Sequence, residues 1–135
     1  LVKSMFNKVN TYLYKFCIQG NVPALKNGKI IITKPFPHLI ANDKVQRYMN
    51  NFVEQMKDLG LYNEFLDMPL SVTMKFFRET RHKYDLDNAA STVQDSLMKS
   101  KFLEDDSQIK ALHCYDGGYD TDNPRVEIGV DIYEL

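Results

Sequence analysis

A chain of 135 residues with 44% hydrophobic and 26% charged side chains has the size and composition of one globular domain, so we expect a single domain over residues 1–135. No apolar run approaches the roughly 20 residues that span a bilayer, and the start of the chain lacks a signal-peptide pattern. These features exclude a membrane-spanning chain and favour a cytoplasmic protein. The net charge of −1 gives no general signal for nucleic-acid binding.

The N-terminal quarter predicts strands. Imperfect alternation over Tyr12–Ile18, ended by Gly20, indicates a first strand. The runs Val22–Lys26 and Lys29–Thr33 flank Asn27-Gly28, a pair that tolerates the positive φ angles of a tight turn. We therefore expect a hairpin there, with Pro23 at an edge.

A helix is the best-defined element of the middle of the chain. It follows a Pro-Phe-Pro break, Asn42 or Asp43 can cap it, and Gly60 ends it. Apolar residues recur within it at three- and four-residue steps, which indicates core packing. They are Val45, Tyr48, Met49, Phe52, Val53, Met56 and Leu59.

The second half predicts three strands around a second helix. Alternation indicates a strand over residues 70–78, and the helix runs from about Asn88 to Lys99. Further strands are expected over 109–115 and 126–132, joined through a Gly117-Gly118 loop and pairing as an antiparallel hairpin. The fold class is thus α+β: a small mixed β-sheet with about two helices packed against it.

Charge and cysteine placement refine the picture. Residues 1–70 carry a charge of +4, residues 71–101 carry +2 and residues 102–135 carry −7. This basic body with an acidic C-terminal third permits a DNA partner without requiring one. Cys17 and Cys114 lie in apolar runs without CxxC spacing, so reduced core thiols are favoured over a disulfide or a zinc site.

Two aspartates stand where the chain passes from a strand to a helix. In an extended backbone Asp85 and Asp87 point to the same side, so both carboxylates can reach one ion, and Asp87 also suits the helix N-cap. Mg²⁺ prefers such oxygen ligands and can activate phosphodiester hydrolysis. The alternative is a solvated cap and turn. A second pair, Asp120 and Asp122, is interpreted as a hydrated loop rather than a Ca²⁺ site.

The order of the acidic groups resembles one family. The sequence Asp85-Leu86-Asp87-Asn88, an amphipathic helix and the run from Phe102 to Ile109, with its Asp-Asp-x-Gln cluster, together resemble the RusA family of Holliday-junction endonucleases. The specific part of this resemblance covers about 25 residues.

The resemblance implies a site and an activity. It implies a homodimeric resolvase, often encoded by phages or prophages, that uses Mg²⁺ or Mn²⁺ to nick four-way junctions symmetrically in DNA recombination and repair. By position, Asp85, Asp87 and Asp106 become the catalytic and metal-binding residues, and Asp105 becomes a neighbour.

The chain departs from the family pattern at one cation. The family usually has a lysine four residues after the second aspartate, where this chain has Ser91, which puts full activity in question. Arg81 and Lys83 are the nearest cations before the aspartates. We expect six residues to contact the DNA backbone: Lys26, Asn27, Arg81, Lys83, Lys99 and Lys101. Turn chemistry alone also explains Asn27.

Helix length adds a geometric question. A helix from Asn88 to Lys99 is about 18 Å long, and Asp106 must return that distance over roughly six residues. A two-fold dimer with these helices antiparallel would instead bring Asp106 of one subunit to Asp85 and Asp87 of the other. We treat that shared site as a hypothesis.

Three functions remain open at this point. The first is a metal-dependent, structure-selective DNA endonuclease that needs no nucleotide cofactor. The second is a catalytically weak junction-binding protein of the same fold, motivated by Ser91. The third is a metal-stabilised interaction protein whose acidic C-terminal third meets a partner.

Overall fold

The structure is a computed structural model that describes residues 12–24, 30–32, 37–39 and 42–134. Its strands are β1 (Tyr14–Gln19), β2 (Ile30–Ile32), β3 (Pro37–Leu39), β4 (Leu70–Arg78), β5 (Ile109–Tyr119) and β6 (Arg125–Ile132). Its helices are α1 (Asn42–Asp58), α2 (Leu86–Lys99) and a short 3-10 helix (Asp106–Gln108). These elements confirm the predicted α+β class.

The four longer strands form one mixed sheet in the order β1-β6-β4-β5. β6 runs antiparallel to β1 and β4, while β5 pairs with β4 in parallel at the edge. The predicted hairpin between the last two strands is therefore wrong. The connection crosses the end of β4, where the Asp120 amide donates to the Arg78 carbonyl (2.8 Å) and the Thr121 hydroxyl to the Glu79 carbonyl (3.1 Å).

One face of the sheet is covered by the helices. The alternation in β4 buries every second side chain, and β6 does the same, which confirms both predicted strands. The buried residues of these two strands are Leu70, Val72, Met74, Phe76, Val126, Ile128 and Val130. They form one core with the apolar faces of the helices.

The helices lie on different parts of the sheet. α1 contacts α2 and β1, whereas α2 contacts α1 and β5. α1 ends as predicted, since Gly60 takes a φ of 73°, which favours glycine. None of the helices in the described part of the chain is long and apolar enough to cross a membrane.

The predicted N-terminal hairpin does not form as expected. Residues 22–24 are not in a strand, and β2 pairs antiparallel with β3 instead. Val22 is 1% exposed and its carbonyl accepts a hydrogen bond from the Tyr84 hydroxyl (2.7 Å). Val22 therefore packs in the core, whereas its segment was expected to pair as an edge strand. The Asn27-Gly28 turn lies outside the described residues.

The two adjacent glycines belong to a strand rather than to the expected loop. β5 continues through Gly117 and Gly118 to Tyr119. A Cβ on Gly117 would lie 2.9 Å from the Phe77 ring, and Gly118 has a φ of 103°. The glycines therefore let β5 pass close to β4 at a shift in the strand register.

Candidate active site at the two ends of helix α2

Asp85 is the N-cap of α2. Its backbone is extended (φ −96°, ψ 105°), and its Oδ1 accepts a hydrogen bond from the Asn88 amide at 3.1 Å. Its Oδ2 accepts a second one from the Asn88 side-chain amide, also at 3.1 Å. The expectation that Asp87 takes the cap is wrong, because α2 begins at Leu86, two residues before the predicted start.

Asp87 lies in the first turn of α2, so the extended-backbone argument that put it beside Asp85 does not apply. The Asp87 side chain is exposed. The helix contacts β5, and burial and then the negative charge of Asp87 raise the pKa of the Cys114 thiol on that strand. Cys17 and Cys114 are both free and half-buried.

Asp106 begins a short turn that is held by its neighbours. Asp105 caps the turn by accepting from the Ser107 amide (3.0 Å), and hydrogen bonds from Ser107 hold the pKa of the Asp105 carboxyl below its ordinary value. Gln108 completes a capping box, since its Oε1 accepts from the Asp105 amide at 2.6 Å.

Gln108 also ties this turn to the loop after α1. Its Nε2 donates to the carbonyls of Leu66 (2.8 Å) and Met68 (3.0 Å). The Gln108 side chain therefore bonds to the 105–108 turn through its oxygen and to the loop after α1 through its nitrogen. Asp106 itself stays exposed at the start of this anchored turn.

The three predicted ligands are not gathered in one chain. Asp106 lies in the short 3-10 helix, which contacts α2, and burial and then the charge of Asp106 raise the pKa of the Asp95 carboxyl. Asp87 and Asp95 are about 12 Å apart along an axis that rises roughly 1.5 Å per residue. Among the described residues, no three His, Cys, Asp or Glu side chains come together as a metal site. Asp95 escaped the sequence reasoning, although it lies two helical turns beyond Asp87 on a similar face.

A cavity lined by one lysine lies next to Asp85. Lys83 lines a cavity of about 400 Å³ together with Ala24, Tyr84, Asp85 and Asn88. This cavity lies at the start of α2, where backbone amides and the helix dipole favour negative charge.

The other residues predicted to contact DNA differ in the contacts that they make within the protein. The Arg81 guanidinium lies 4.7 Å from the centroid of the Tyr119 ring and remains exposed. Lys99 bridges the helices by donating to Asn50 Oδ1 (2.8 Å), so its ammonium already has a structural partner. Lys101 is exposed with a φ of 53° in the turn after α2. Lys26 and Asn27 lie outside the described residues.

An arginine that the sequence analysis did not single out holds the loop before Asp85. Arg78 Nη1 donates to the His82 carbonyl (3.1 Å), and its Nε donates to Asp116 Oδ1 (3.2 Å). Asp116 Oδ1 also accepts from the Gly118 amide at 2.9 Å. The side chain of Arg78 is 18% exposed. Arg78 therefore links β4, β5 and the basic loop 79–84.

The second Asp pair is part of the fold. Asp120 Oδ2 accepts from Arg125 Nη1 at 2.9 Å, and its Oδ1 accepts from the Asn123 amide at 3.2 Å. Asp122 is exposed. These contacts tie Asp120 into the loop that leads to β6.

One comparison with known proteins identifies the family. A family model described as "Endodeoxyribonuclease RusA" matches residues 22–131, which include all three predicted aspartates. No curated protein gave a match to the chain. Because the family model covers most of the chain, the protein belongs to the RusA endodeoxyribonuclease family.

Proposed function

We propose that the protein is a divalent-metal-dependent, structure-selective endodeoxyribonuclease that resolves four-way DNA junctions in recombination and repair. One observation carries this proposal. The match to an endodeoxyribonuclease family spans both ends of α2, where Asp85, Asp87 and Asp106 are all exposed. Surface carboxylates that the fold holds in place without burying them are suited to a ligand from solution.

The donor chemistry fits a hard divalent cation. Carboxylate oxygens are the ligands that Mg²⁺ prefers. Asp85, Asp87 and Asp106 form no ion pair with a lysine or arginine in the described part of the chain. Asn88 fixes the direction of both Asp85 oxygens, as neighbours of metal ligands commonly do.

We propose that these three aspartates hold Mg²⁺, with Mn²⁺ as a substitute. The chemistry that such a cation supplies when bound is Lewis-acid stabilisation of charge on the scissile phosphodiester. Arg81 and Lys83 lie just before Asp85 and hold the DNA backbone through its phosphates. The distance between the ends of α2 supports a further step, in which a homodimer completes each site with Asp106 from the second subunit.

The decisive experiment incubates the protein with a synthetic mobile four-way junction and Mg²⁺ or Mn²⁺. We expect paired, symmetric nicks that disappear on addition of a chelator. Asp87→Asn should abolish the nicks. Asp122→Asn is the matched control, because it removes another exposed carboxylate, from the second Asp pair, and should leave cleavage unchanged. Wild-type protein that leaves the junction intact under all of these conditions contradicts the proposal.

A second candidate is a junction-binding protein with weak catalysis. Ser91 supports it, because this exposed residue of α2 carries no charge one turn after Asp87. Tight, salt-dependent junction binding without nicks would favour this candidate. Ser91→Lys restores a cation at this position, and we expect it to raise the nicking rate if weak catalysis results from the missing charge.

A further inference from the structure

Both helices pack against one face of the four-stranded sheet, and the other face, the outer face, carries the alternate residues of each strand. The strand register places these residues in rows that cross β1, β6, β4 and β5. Two of the rows are Lys15-Gly129-Thr73-His113 and Cys17-Glu127-Lys75-Tyr115. All of these residues except Gly129 are exposed or half-buried, so the outer face reaches solvent on all four strands.

Two aromatic rings lie directly on the backbone of the outer face. A Cβ on Gly129 would come within 2.7 Å of the Tyr12 ring, and a Cβ on Gly117 would come within 2.9 Å of the Phe77 ring. Each ring therefore needs a glycine beneath it, because a larger residue would displace it. Tyr12 and Phe77 remain half-buried, and Tyr115 on the same face is 53% exposed. The outer face thus presents three rings to solvent.

Cations lie among these rings. The Arg125 guanidinium is 3.8 Å from the centroid of the Phe77 ring, and the Lys75 ammonium is 5.5 Å from it. Arg125 already pairs with two carboxylates. Lys15 and Lys75 are exposed and form no ion pair within the part of the chain that the structure describes. Their ammonium groups are therefore available to an anion from solution.

A hollow of about 160 Å³ opens between these groups. The polar residues that line it are Tyr12, Lys15, Thr73, Lys75 and Glu127. The Glu127 carboxylate accepts a hydrogen bond from Arg125 Nε at 3.2 Å, which leaves the charge of the two lysines without a counterion. Two ammonium groups beside a hydroxyl group suit a phosphate, which accepts several charge-assisted hydrogen bonds. A second hollow of about 420 Å³, also lined by Tyr12 and Thr73, adjoins the first.

The outer face differs from a groove that docks a helix of a partner protein. Such a groove is lined with apolar side chains. The described residues that the four strands place on the outer face include no Leu, Ile, Val or Met. Lysine and glutamate are also depleted in protein interfaces, whereas Lys75 and Glu127 lie on the two central strands here. Rings interspersed with lysines are instead typical of surfaces that bind single-stranded nucleic acid.

We infer that the outer face binds a short stretch of single-stranded DNA. Its bases stack on Tyr12, Phe77 and Tyr115. Its phosphates bind Lys15 and Lys75. Four-stranded sheets that expose aromatic residues stack two or three bases in this way. Membership of an endodeoxyribonuclease family favours DNA as the bound strand. The inference goes beyond the proposed function, because it assigns a second nucleic-acid surface.

This surface is separate from the predicted acidic site. The apolar side of α2 packs into the core on the opposite face of the sheet, through residues such as Ala90, Val93 and Leu97. Asp85 and Asp87 lie at the start of that helix. A strand on the outer face is therefore held by stacking and by lysines, and its binding needs no divalent cation.

The first test measures the anisotropy of a short, fluorescein-labelled oligothymidylate in excess chelator, after circular dichroism has checked the fold of each variant. Removal of one stacking ring typically weakens binding by about 5- to 150-fold, and we expect a loss in this range for Tyr115→Ala. Tyr62→Ala is the matched control and should bind like the wild type. Tyr62 is a partly exposed tyrosine in the loop after α1, with the Lys57 ammonium 5.0 Å from its ring. A wild type that does not bind the oligonucleotide, or equal affinities of Tyr115→Ala and the wild type, would overturn the inference.

The lysines are tested through the salt dependence of the same binding. Lys75→Gln should reduce the slope of log affinity against log salt concentration by about 0.7, the value for one phosphate contact on a single strand. Lys57→Gln also removes a lysine beside a ring and should leave the slope unchanged. Identical slopes for Lys75→Gln and the wild type would contradict the inference.

Photocrosslinking of the wild-type protein gives an answer even if a variant fails to fold. An oligothymidylate that carries iododeoxyuridine should crosslink to peptides that contain Phe77 or Tyr115. Crosslinks confined to the basic loop 79–84 or to α2 would place the single strand at the predicted acidic site and overturn the inference. The proposed function is tested separately, since it is measured by junction nicking with a divalent cation.

Discussion

Asn88 donates two hydrogen bonds to Asp85, one from its backbone amide and one from its side-chain amide, each at 3.1 Å. The first bond caps helix α2, and the second directs the other oxygen of the same carboxylate. One residue pair therefore serves both the stability of the helix and the aim of a predicted metal ligand, and substitutions can separate the two roles.

Replacing Asn88 with Ala should weaken metal binding more than it weakens the fold. The backbone amide still caps α2, but Asp85 loses its side-chain partner. Losses of about 10- to 100-fold in metal affinity or activity are typical when a residue that orients a ligand is removed. Titrating Mg²⁺ in the nicking assay measures the shift, and urea denaturation checks that stability is nearly unchanged. An unaltered Mg²⁺ dependence would show that Asn88 does not orient a metal ligand.

Two substitutions of Asp85 should differ in stability and agree in activity. Asp85→Ala removes the cap and should lower the free energy of unfolding by about 1 kcal/mol, whereas Asp85→Asn keeps an acceptor for the Asn88 amide. Both remove the carboxylate charge, so both should abolish nicking. Urea denaturation with the junction assay separates these effects. Nicking by a folded Asp85→Asn protein would contradict the role of this carboxylate.

Gln108→Ala should affect Asp106 through the turn that carries it. The substitution removes the hydrogen bonds to Leu66, Met68 and Asp105 and should cost roughly 2 kcal/mol of unfolding free energy. We also expect a lower nicking rate at saturating junction concentration with little change in junction affinity. Gln94→Ala on α2 is the control for loss of a partly buried amide. A loss of stability without a loss of rate would limit Gln108 to a structural role.

Arg78→Met should loosen the basic loop before Asp85. Arg78 joins the His82 carbonyl in this loop to Asp116 on β5, and methionine makes neither contact. Arg81 and Lys83 should therefore be held less firmly. We expect weaker binding to junctions in the absence of metal, measured by fluorescence anisotropy, with partial rescue in Arg78→Lys. Arg125→Met serves as the control, because it removes a different arginine, one that forms ion pairs with Asp120 and Glu127. Equal losses of affinity in both variants would rule out a specific positioning role for Arg78.

Asp95→Asn should stabilise the protein in a pH-dependent way. Burial and the charge of Asp106 raise the pKa of Asp95 in the folded state, so the folded chain binds this proton more tightly than the unfolded chain. The stability it contributes is present below the unfolded pKa of about 3.9 and is lost as the pH rises through the folded value. Urea denaturation should therefore show a larger free energy of unfolding for Asp95→Asn than for the wild type at neutral pH. Near pH 3 the two proteins should have the same free energy of unfolding.

Sequence reasoning identified the elements better than their connections. Apolar alternation located β4 and β6, and helical periodicity located α1, because burial of one face leaves a direct pattern. The order of the strands in the sheet depends on which strands pair, and the sequence carries no comparable pattern for it. A short loop between two strand-like runs is typical of a hairpin, yet the buried Val126, Ile128 and Val130 belong to a central strand.

The site shows the same division. The three aspartates could be predicted from the sequence, because the family resemblance rests on a local motif around a helix, and their role stays a prediction. The hydrogen bonds of Arg78 and Gln108 could not be predicted, because their partners Asp116 and Leu66 lie far away in the sequence. A helix start misplaced by two residues also changed the geometry, since it moved the cap from Asp87 to Asp85.

Mixing two inactive variants tests the shared site most directly. Asp85→Asn and Asp106→Asn chains are combined in equal amounts, allowed to exchange subunits and assayed on a four-way junction. If the sites are shared, each mixed dimer holds both changes in one site and leaves the other intact. About a quarter of the wild-type sites then recover with free exchange, giving single nicks rather than paired ones. Mixtures as inactive as either variant alone, after exchange has been verified, would contradict a site completed between two copies.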